Sequence, residues 1–401
     1  MIDQRSHRLP SPKRMVYFDI AERGTVSKAE LLGRFSLSGT SMTRLLEEMT
    51  AEGLILASGF GPSSGGRRPI LYETNPAFGY FCGLEISRFH SALGLFDMRM
   101  NPLSFVRWRM DEKMTPQALA DRVAGAVQAA LREQGIKQEQ VLGFGIGSVG
   151  PLDRESGIIL QPLHFPAPGW ANVPICRLIE ERTGFAAQLD NGANTALIGE
   201  HWSMRSANPQ HMLYVHTGVG LRSAMMSYGQ IIYGSVDMEG AIGQMIVQSD
   251  GPQLYDGSNF GALEAYVSVQ ALEKRAQTHA IMGASPLTEL FGVQPEQIRY
   301  DLLLEALRQE HPYAMELFQQ GASFFGIGLA NMINMLHPEI VIVGGTLIQS
   351  HEMFLRTAID IARKNTYYHP QYQPVFSEGE LKEDAVATGA ALMMWKQLEL
   401  R

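Results

Sequence analysis

Small hydroxyl side chains and arginines are concentrated between residues 37 and 72 of this 401-residue chain. Hydroxyl and guanidinium groups can hydrogen-bond to the base edges and phosphates of double-stranded DNA. One group of them lies at the leading end of a predicted helix, and a second lies at a glycine-rich turn. The candidate DNA-binding residues are Thr40, Ser41, Thr43, Arg44, Arg67 and Arg68.

Three helices must position the first group. The sequence predicts a helix over residues 14–23, and Ser27 followed by Glu30 forms a capping box that begins a second helix. Ser38 caps a third helix. Its apolar residues recur at helical spacing and should face inward, which leaves the polar side chains outside. The inward-facing residues are Met42, Leu45, Leu46 and Met49.

A basic hairpin positions the second group. Residues 54–58 and 69–73 read as strands, and the segment between them is rich in Gly, Ser and Arg. Together with the helices, the hairpin predicts a winged helix-turn-helix domain over residues 1–75, whose third helix enters the major groove. The alternative is a protein-docking module of three helices and a hairpin. The polar leading end of the third helix and the arginine-rich turn favour DNA.

The charge of the chain is unevenly distributed. Residues 1–75 hold ten Lys or Arg and eight Asp or Glu, a net charge of +2, whereas the remainder holds 23 and 33, a net charge of −10. A mildly basic head on an acidic body fits a body that does not contact DNA. No stretch approaches the roughly 20 apolar residues of a membrane helix. The N-terminus lacks an apolar signal core, so we expect a cytoplasmic protein. Cys82 and Cys176 are expected to be buried thiols.

After Asn75-Pro76 the pattern changes to strands that alternate with helices. Two successive units of three antiparallel strands are each followed by α/β elements, which indicates an internally duplicated α/β region. A chain of 401 residues is too long for a single core, so several domains are expected. We predict a first α/β lobe over residues 76–195 together with residues 384–401, and a second α/β lobe over residues 196–383.

Several motifs give the chain a resemblance to a known family. Beside the winged head and its Leu-Tyr-Glu-Thr-Asn-Pro linker, they are Gly143–Pro151, Gly169–Pro174, Leu329–Gly345 and the Gly-Ala-Ala-Leu run at Gly389. The sequence resembles the ROK family (repressors, open reading frames and kinases) over almost its whole length, and specifically the repressor branch. The resemblance implies a mixed α/β fold with two actin-like lobes, which in the family's kinases close on a sugar and ATP.

The residues at the implied catalytic position depart from the kinase pattern. Phosphoryl transfer to a sugar hydroxyl needs a carboxylate that accepts the proton, and the family supplies it from an Asn-Asp pair followed by Ala-Asn. This chain has Asp190-Asn191-Gly192-Ala193-Asn194, so Gly192 stands at the Asp position. Asp190 lies two residues back, roughly 6–7 Å along an extended chain, whereas a base must lie within about 3 Å of its proton. We therefore predict no catalytic residue.

The nucleotide side is altered as well. Where family kinases place Asp-x-Gly-Gly-Thr, this chain has Glu85-Ile-Ser-Arg-Phe89, without a glycine for close approach of the backbone to phosphate. The second phosphate loop reads His216-Thr-Gly-Val-Gly-Leu-Arg222, with the bulky Arg222 in place of a glycine. Three roles are open for Arg222: it binds an anionic group of a ligand, fills the vacated phosphate space or pairs with a carboxylate.

The resemblance carries part of the family's sugar site onto this chain. The matching positions are Asn191, Ala241, Gln244 and Glu264, of which Asn191 and Glu264 could hold sugar hydroxyls by directed hydrogen bonds. Ala241 cannot, and nearby Glu239 could partly replace the lost carboxylate. The predicted ligand-binding residues are therefore Asn191, Glu264, Gln244 and Glu239. The alternative for Glu264 is a carboxylate at the start of a helix, where the helix dipole favours it.

The family's zinc motif is absent. The corresponding run, residues 254–262, contains no thiolate, and the eleven histidines show no paired metal-ligand spacing. We predict neither a structural zinc nor a cofactor. Packing of Leu254, Tyr255 and Phe260 could replace the metal.

These features predict a sugar-responsive transcriptional repressor whose partners are double-stranded operator DNA and a sugar or sugar derivative. Two winged heads would dock on a pseudo-palindromic operator, and the ligand would change lobe closure. The resemblance implies a homodimer or homotetramer, and no membrane partner is expected. Two alternatives are open: a ligand-free regulator that uses the kinase-like body for dimerisation, and an ATP-dependent sugar kinase with a DNA-binding appendage.

Overall fold

The computed structural model of the protein describes residues 11–62, 68–237, 239–283, 286–398 and 400. A small helical head is followed by two larger lobes, each built around its own five-stranded sheet. None of the described helices combines the length and the apolar character that crossing a membrane requires.

The head is a winged helix-turn-helix domain, as predicted. Its elements are α1 (Pro12–Arg23), β1 (Thr25–Ser27), α2 (Lys28–Arg34), α3 (Gly39–Ala51), β2 (Ile55–Phe60) and β3 (Ile70–Thr74). The capping box is confirmed, because the Ser27 amide donates to Glu30 Oε2 at 2.7 Å and the Glu30 amide donates to Ser27 Oγ at 3.3 Å. Strand β1 is an addition to the predicted hairpin. It pairs antiparallel with β3, so the wing is the three-stranded sheet β1-β3-β2.

The first lobe has a mixed sheet in the strand order β10-β7-β4-β5-β6. Its elements are β4 (Tyr80–Ile86), β5 (His90–Asp97), β6 (Pro102–Arg109), α4 (Pro116–Gln134), β7 (Val141–Ser148), β8 (Leu152–Asp153), β9 (Ile158–Ile159), α5 (Ile175–Thr183) and β10 (Ala187–Asn191). Helix α6 (Gly192–Ser203) follows β10, contacts both sheets and contains the predicted boundary between the lobes. The meander β4-β5-β6 is antiparallel, whereas β7 and β10 continue the sheet in parallel. Cys82 and Cys176 are buried and free, as predicted.

The second lobe repeats this plan with the strand order β13-β12-β11-β14-β15. Its elements are β11 (Met212–Thr217), β12 (Leu221–Ser227), β13 (Gln230–Ile231), α7 (Val269–Ile281), α8 (Pro286–Phe291), α9 (Tyr300–Arg308), α10 (Pro312–Leu336), β14 (Ile340–Gly344), α11 (Glu352–Asn365) and β15 (Val375–Ser377). Residues 263–278 do not form a single helix. A 3-10 turn at Leu263–Ala265 precedes α7, because Ser268 is extended and caps α7 by accepting from the Ala271 amide at 3.1 Å.

The terminal helix α12 (Ala385–Trp395) returns to the first lobe and packs on β4, β7 and α6. Two glycines allow this close approach. A Cβ atom at Gly145 would lie 1.8 Å from the Ala390 carbonyl oxygen, and one at Gly389 would lie 1.6 Å from the Thr195 carbonyl oxygen. Any larger residue at either position would therefore push α12 away from the sheet or from α6.

Head and body share one apolar core. The Trp395 ring of α12 lies 4.6 Å from the Phe18 ring of α1 and 5.0 Å from the Trp202 ring at the end of α6, measured between centroids. Ser11 Oγ also donates to the Leu400 carbonyl at 2.6 Å. Because aromatic pairs at these distances add to the free energy of burial, the head is held firmly against α6 and α12.

Candidate DNA-binding surface and ligand cleft

The leading end of α3 is exposed, as a helix that reads DNA requires. Thr40, Ser41 and Arg44 are exposed, whereas Thr43 is partly buried. The apolar side of α3 faces the core of the head, which turns the polar side outward. Its buried residues are Met42, Leu46 and Met49. The first three side chains are therefore free to meet a base edge or a phosphate.

Thr43 has contacts of its own within the head. Its hydroxyl donates to the Gly39 carbonyl at 2.9 Å and accepts a short hydrogen bond from Lys28 Nζ. Lys28 also lines a shallow depression with Thr40, Arg44 and Glu47 on the surface of α3. Lys28 is not among the candidates predicted from the sequence, although its place directly after the Ser27 cap puts it at the end of α2 that faces α3.

The wing contributes one described cation to this surface. Arg68 is exposed just before β3 begins at Ile70. Arg67 lies outside the described residues. Arg68 is therefore the candidate DNA contact of the wing within the described residues.

Asp190 is a structural acceptor at the end of β10. It is 2% exposed, and its carboxylate accepts from the Asn191 amide at 2.6 Å, from Asn194 Nδ2 at 3.0 Å and from the Tyr233 hydroxyl at 2.7 Å. Burial raises the pKa of Tyr233, and the neighbouring Asp190 charge adds to the shift, so the phenol keeps its proton and remains a donor. Arg154 stacks over the Tyr233 ring at 4.1 Å.

Asn191 is fully buried and caps α6. Its Oδ1 accepts from the Ala193 amide at 2.9 Å, and its Nδ2 donates to Asp237 Oδ1 at 3.4 Å. The second Asp237 oxygen is buried without a hydrogen-bond partner among the described residues, and burial raises the pKa of this carboxyl. An unpaired buried oxygen is a candidate acceptor for a ligand hydroxyl. Asp237 was not among the sequence candidates, because no motif marks the loop after β13.

A cavity of about 400 Å³ lies between the lobes. Gly192 and Arg222 line it together, whereas Asn191, Gln244 and Glu264 do not. A Cβ atom at Gly192 would lie 3.4 Å from Arg222 Nη1. The guanidinium therefore reaches the place from which a carboxylate at position 192 would extend.

Gln244 and Glu264 are brought together next to the turn between β11 and β12. Glu264 Oε1 accepts from the Leu221 amide at 3.3 Å, while Oε2 accepts from Gln244 Nε2 at 3.2 Å and from the Tyr255 hydroxyl at 3.4 Å. Burial raises the pKa of Glu264, although these hydrogen bonds oppose the shift. The Glu239 side chain lies outside the described part of the structure.

The loop that replaces the zinc motif is held by polar contacts rather than by the predicted apolar packing. Leu254 is buried, but Tyr255 is 41% and Phe260 is 62% exposed. Gln244 Oε1 instead accepts from the Asn259 amide at 2.8 Å, and Asn259 Nδ2 donates to the Gln244 carbonyl. No group of three His, Cys, Asp or Glu suited to a metal ion occurs among the residues that the structure describes.

Comparison with known proteins decides the family. The pattern that defines the ROK family matches residues 81–397, which is most of the chain. The chain belongs to the ROK family. The resemblance inferred from the motifs is thereby confirmed. ROK members with different activities are similar to it, so the family alone does not fix the function.

Two curated ROK relatives illustrate this. The xylose repressor of Caldicellulosiruptor bescii is 24% identical over 386 residues, covering 95% of this chain and 94% of the relative. The glucokinase of Thermotoga maritima is 27% identical over 262 residues, covering 65% of this chain and 81% of the relative. The repressor thus matches the head as well as the body, whereas the kinase match spans a shorter part of the chain.

A solved ROK structure supports the complete fold. The crystal structure of a ROK family transcriptional regulator, a homologue of the E. coli MLC protein, aligns with a TM-score of 0.74 at 20% identity. The alignment covers 96% of this chain and 98% of that one. The winged head and the two actin-like lobes therefore occur in the same order in both proteins.

Proposed function

We propose that the protein is a sequence-specific DNA-binding transcriptional repressor that a sugar or sugar derivative controls. The observation that carries the proposal is the exposed leading end of α3 on a head whose core continues into a ROK body with Gly192 at the position of the kinase base. The near full-length likeness to a protein named xylose repressor supports the same function. By analogy with that name, we propose that the effector of this chain is a sugar.

Among the described residues, none places a carboxylate where the resemblance expects the base of the kinases, at position 192. Gly192 has no side chain, and the neighbouring Asp190 carboxylate is buried and accepts three hydrogen bonds from its own surroundings. A general base must reach the proton that it removes. This geometry supports a binding role for the cleft and a protein that is not an enzyme.

Helix α6 supplies a route from the cleft to the head. It begins at Gly192 in the cavity wall and ends at Ser203, and a helix of its 12 residues spans about 18 Å. Trp202 in its last turn contacts Trp395, which in turn contacts Phe18 of the head. A ligand that binds the open and closed lobes unequally would shift α6 and change how the head is presented to DNA.

The proposal includes the domain limits and the partners. The head comprises residues 1–75, the first lobe residues 76–195 with 384–401, and the second lobe residues 196–383. Two copies in a homodimer, or four in a homotetramer, would place two heads on the half-sites of a pseudo-palindromic operator. Operator DNA and the small-molecule effector are the two partners.

Operator binding tests the function directly. The purified full-length chain is footprinted on the DNA upstream of its own and adjacent genes, with and without each member of a panel of pentoses and hexoses. A protected site that at least one sugar releases supports the proposal. Absence of any sequence-specific protection would contradict it, and a footprint that no sugar changes would favour the ligand-free regulator instead.

A coupled ADP-release assay over the same sugars separates the kinase alternative. We expect no ADP release above the background measured without sugar. Sugar-dependent turnover would refute the assignment of the cleft as a binding site, because it would require a base that the geometry does not provide.

A further inference from the structure

The cavity between the lobes carries a cation without a partner. Within the described part of the chain, the side chain of Arg222 makes neither a hydrogen bond nor an ion pair, although the residue lines the cavity. Removing a guanidinium from bulk water without a counter-charge is unfavourable. Of the three roles open for this residue, pairing with a carboxylate therefore receives no support from the described contacts.

The carboxylates that line the same cavity are mostly engaged elsewhere. Glu200 accepts from the backbone amides of residues 380, 381 and 382 at 2.7, 3.0 and 3.1 Å. Glu85 lies 3.3 Å from His90 Nε2, and Glu383 lies 3.9 Å from Arg107. Glu378, the remaining one, lies on the opposite sheet edge after β15. The charge of Arg222 is thus left for a group that enters from outside.

The immediate neighbours of the Arg222 guanidinium are a histidine and the N-terminus of a helix. Arg222 pairs across β11–β12 with His216, and the N-terminus of the 12-residue helix α6 lies against it at Gly192. Burial lowers the pKa of His216 well below its ordinary value, and repulsion by Arg222, His90 and Arg88 adds to the shift. The guanidinium of Arg222 beside this helix N-terminus favours an anion.

Resting on the proposed function, we infer that Arg222 binds the phosphate of a phosphorylated sugar in the cavity between the lobes, next to Gly192. Position 192 is where a phosphoryl group would meet a sugar hydroxyl in a kinase of this fold. A guanidinium next to position 192 suits a sugar that already carries a phosphate group when it binds. The ligand class is a sugar phosphate rather than a nucleotide, because the turn at Ser87–Phe89 lacks the glycines that allow a backbone to cradle further phosphates.

Calorimetric titration of the full-length chain at low ionic strength tests the site. The probes are glucose 6-phosphate, xylose 5-phosphate, both parent sugars, inorganic phosphate and ADP. We expect at least one sugar phosphate to bind more tightly than its parent sugar. Arg222→Gln should weaken that binding by about tenfold or more, as the loss of a charge-assisted pair would, and should leave binding of the parent sugar unchanged.

Two further variants keep the test decisive. Gly192→Asp adds a carboxylate against Arg222 and should also abolish preferential binding of the phosphate, without removing the guanidinium. Arg177→Gln, on an exposed arginine of α5, makes the same charge change away from the cavity and should bind like the wild type. Thermal unfolding of each variant shows whether it is folded. If Arg222→Gln does not fold, Gly192→Asp alone decides.

Several results would overturn the inference. They are equal sugar-phosphate affinity in the wild type and Arg222→Gln, parent sugars that bind as tightly as their phosphates, no binding of any sugar phosphate, and Arg222-dependent binding of ADP. Operator release by a parent sugar, with any of these results, would leave the proposed function standing. Loss of the operator footprint itself would instead overturn the proposed function.

Discussion

At the residue scale, two departures from the kinase pattern adjoin each other in space. Gly192 and Arg222 are 30 positions apart in the sequence, yet the guanidinium lies against the glycine in the cavity wall. The loss of a carboxylate and the gain of a cation reverse the local charge. A site for proton removal thereby becomes a site suited to an anion.

The sequence could identify these positions but not their partners. The two kinase motifs mark Gly192 and Arg222 individually as departures, because each residue breaks a pattern of fixed spacing. The motifs could not predict that the Asn191 side chain caps α6, since capping depends on where the helix begins. Asp237 could not be predicted from the sequence either, because its unpaired oxygen results from the tertiary packing of a loop without a motif.

Arg44 provides the first test of the DNA-binding surface. Arg44→Ala should weaken operator binding by about 1–3 kcal/mol and relax discrimination at one base position, because an arginine on a recognition helix reads a base edge. Gel-shift titration against the footprinted site and single-base variants measures both effects. The control Arg177→Ala should behave as wild type. A uniform loss across all sequences would reassign Arg44 to a phosphate contact.

Glu264 provides a test of pH dependence. Burial raises the pKa of its carboxyl in the folded chain, so the stability that its protonated form contributes is complete below its ordinary pKa and is lost as pH rises through the raised value. Glu264→Gln cannot ionise. We therefore expect the melting temperature of the variant, relative to wild type, to increase between pH 4.5 and pH 7.5.

A flat difference in melting temperature across that range would contradict the raised pKa of Glu264. Glu305→Gln is a suitable control, because hydrogen bonds from Gln309 and Arg308 lower the pKa of Glu305. A carboxylate with a lowered pKa contributes stability above its ordinary pKa and loses it as pH falls. In the same thermal scans the melting temperature of its variant, relative to wild type, should therefore change little between pH 4.5 and pH 7.5 and should increase only as the pH falls further.

At the element scale, local signals define most of the fold. Capping boxes, apolar periodicity and glycine turns predict the helices of the head and most strands of both lobes, because these depend on neighbouring residues. Strand β1 escapes prediction, since three residues carry no periodicity and pair only because β3 lies beside them. The break at Ser268 likewise reflects a cap that competes with a continuous apolar pattern.

The capping box of α2 makes a prediction about the head. Ser27→Ala removes the acceptor for the Glu30 amide and a donor to its carboxylate, which should destabilise the protein by about 1 kcal/mol. Urea unfolding followed by tryptophan fluorescence measures the change, since two of the four tryptophans, Trp202 and Trp395, lie at the head–body core. Ser36→Ala, at an exposed loop position, is the matched control. Equal midpoints for both variants would mean that the cap does not stabilise the folded state.

At the scale of the whole molecule, the head packs against the body and is not a separate domain on a linker. Its core is continuous with α6 and α12, and Lys13 at its base forms ion pairs with Glu48 and Glu52 at 2.9 and 2.6 Å, which fix α1 to α3. Packed side chains therefore connect α6 to α3, and under the proposed function a movement of α6 would be passed on through them. Packed interfaces have discrete arrangements, so a small displacement in the cleft can select between two orientations of the head.

Trp202 tests this route, because it joins the far end of α6 to Trp395 without lining the cavity. Trp202→Leu should reduce the effect of the releasing sugar on operator affinity, a coupling that typically amounts to about 1–3 kcal/mol, while sugar binding to the body persists. Operator affinity with and without saturating sugar gives the coupling in each variant. Trp170→Phe alters a buried tryptophan in the separate core of the first lobe and should leave the coupling intact.

Because coupling between two ligands is reciprocal, operator DNA should also weaken sugar binding less in Trp202→Leu than in wild type. Undiminished coupling in that variant would exclude the aromatic contact as the path between cleft and head.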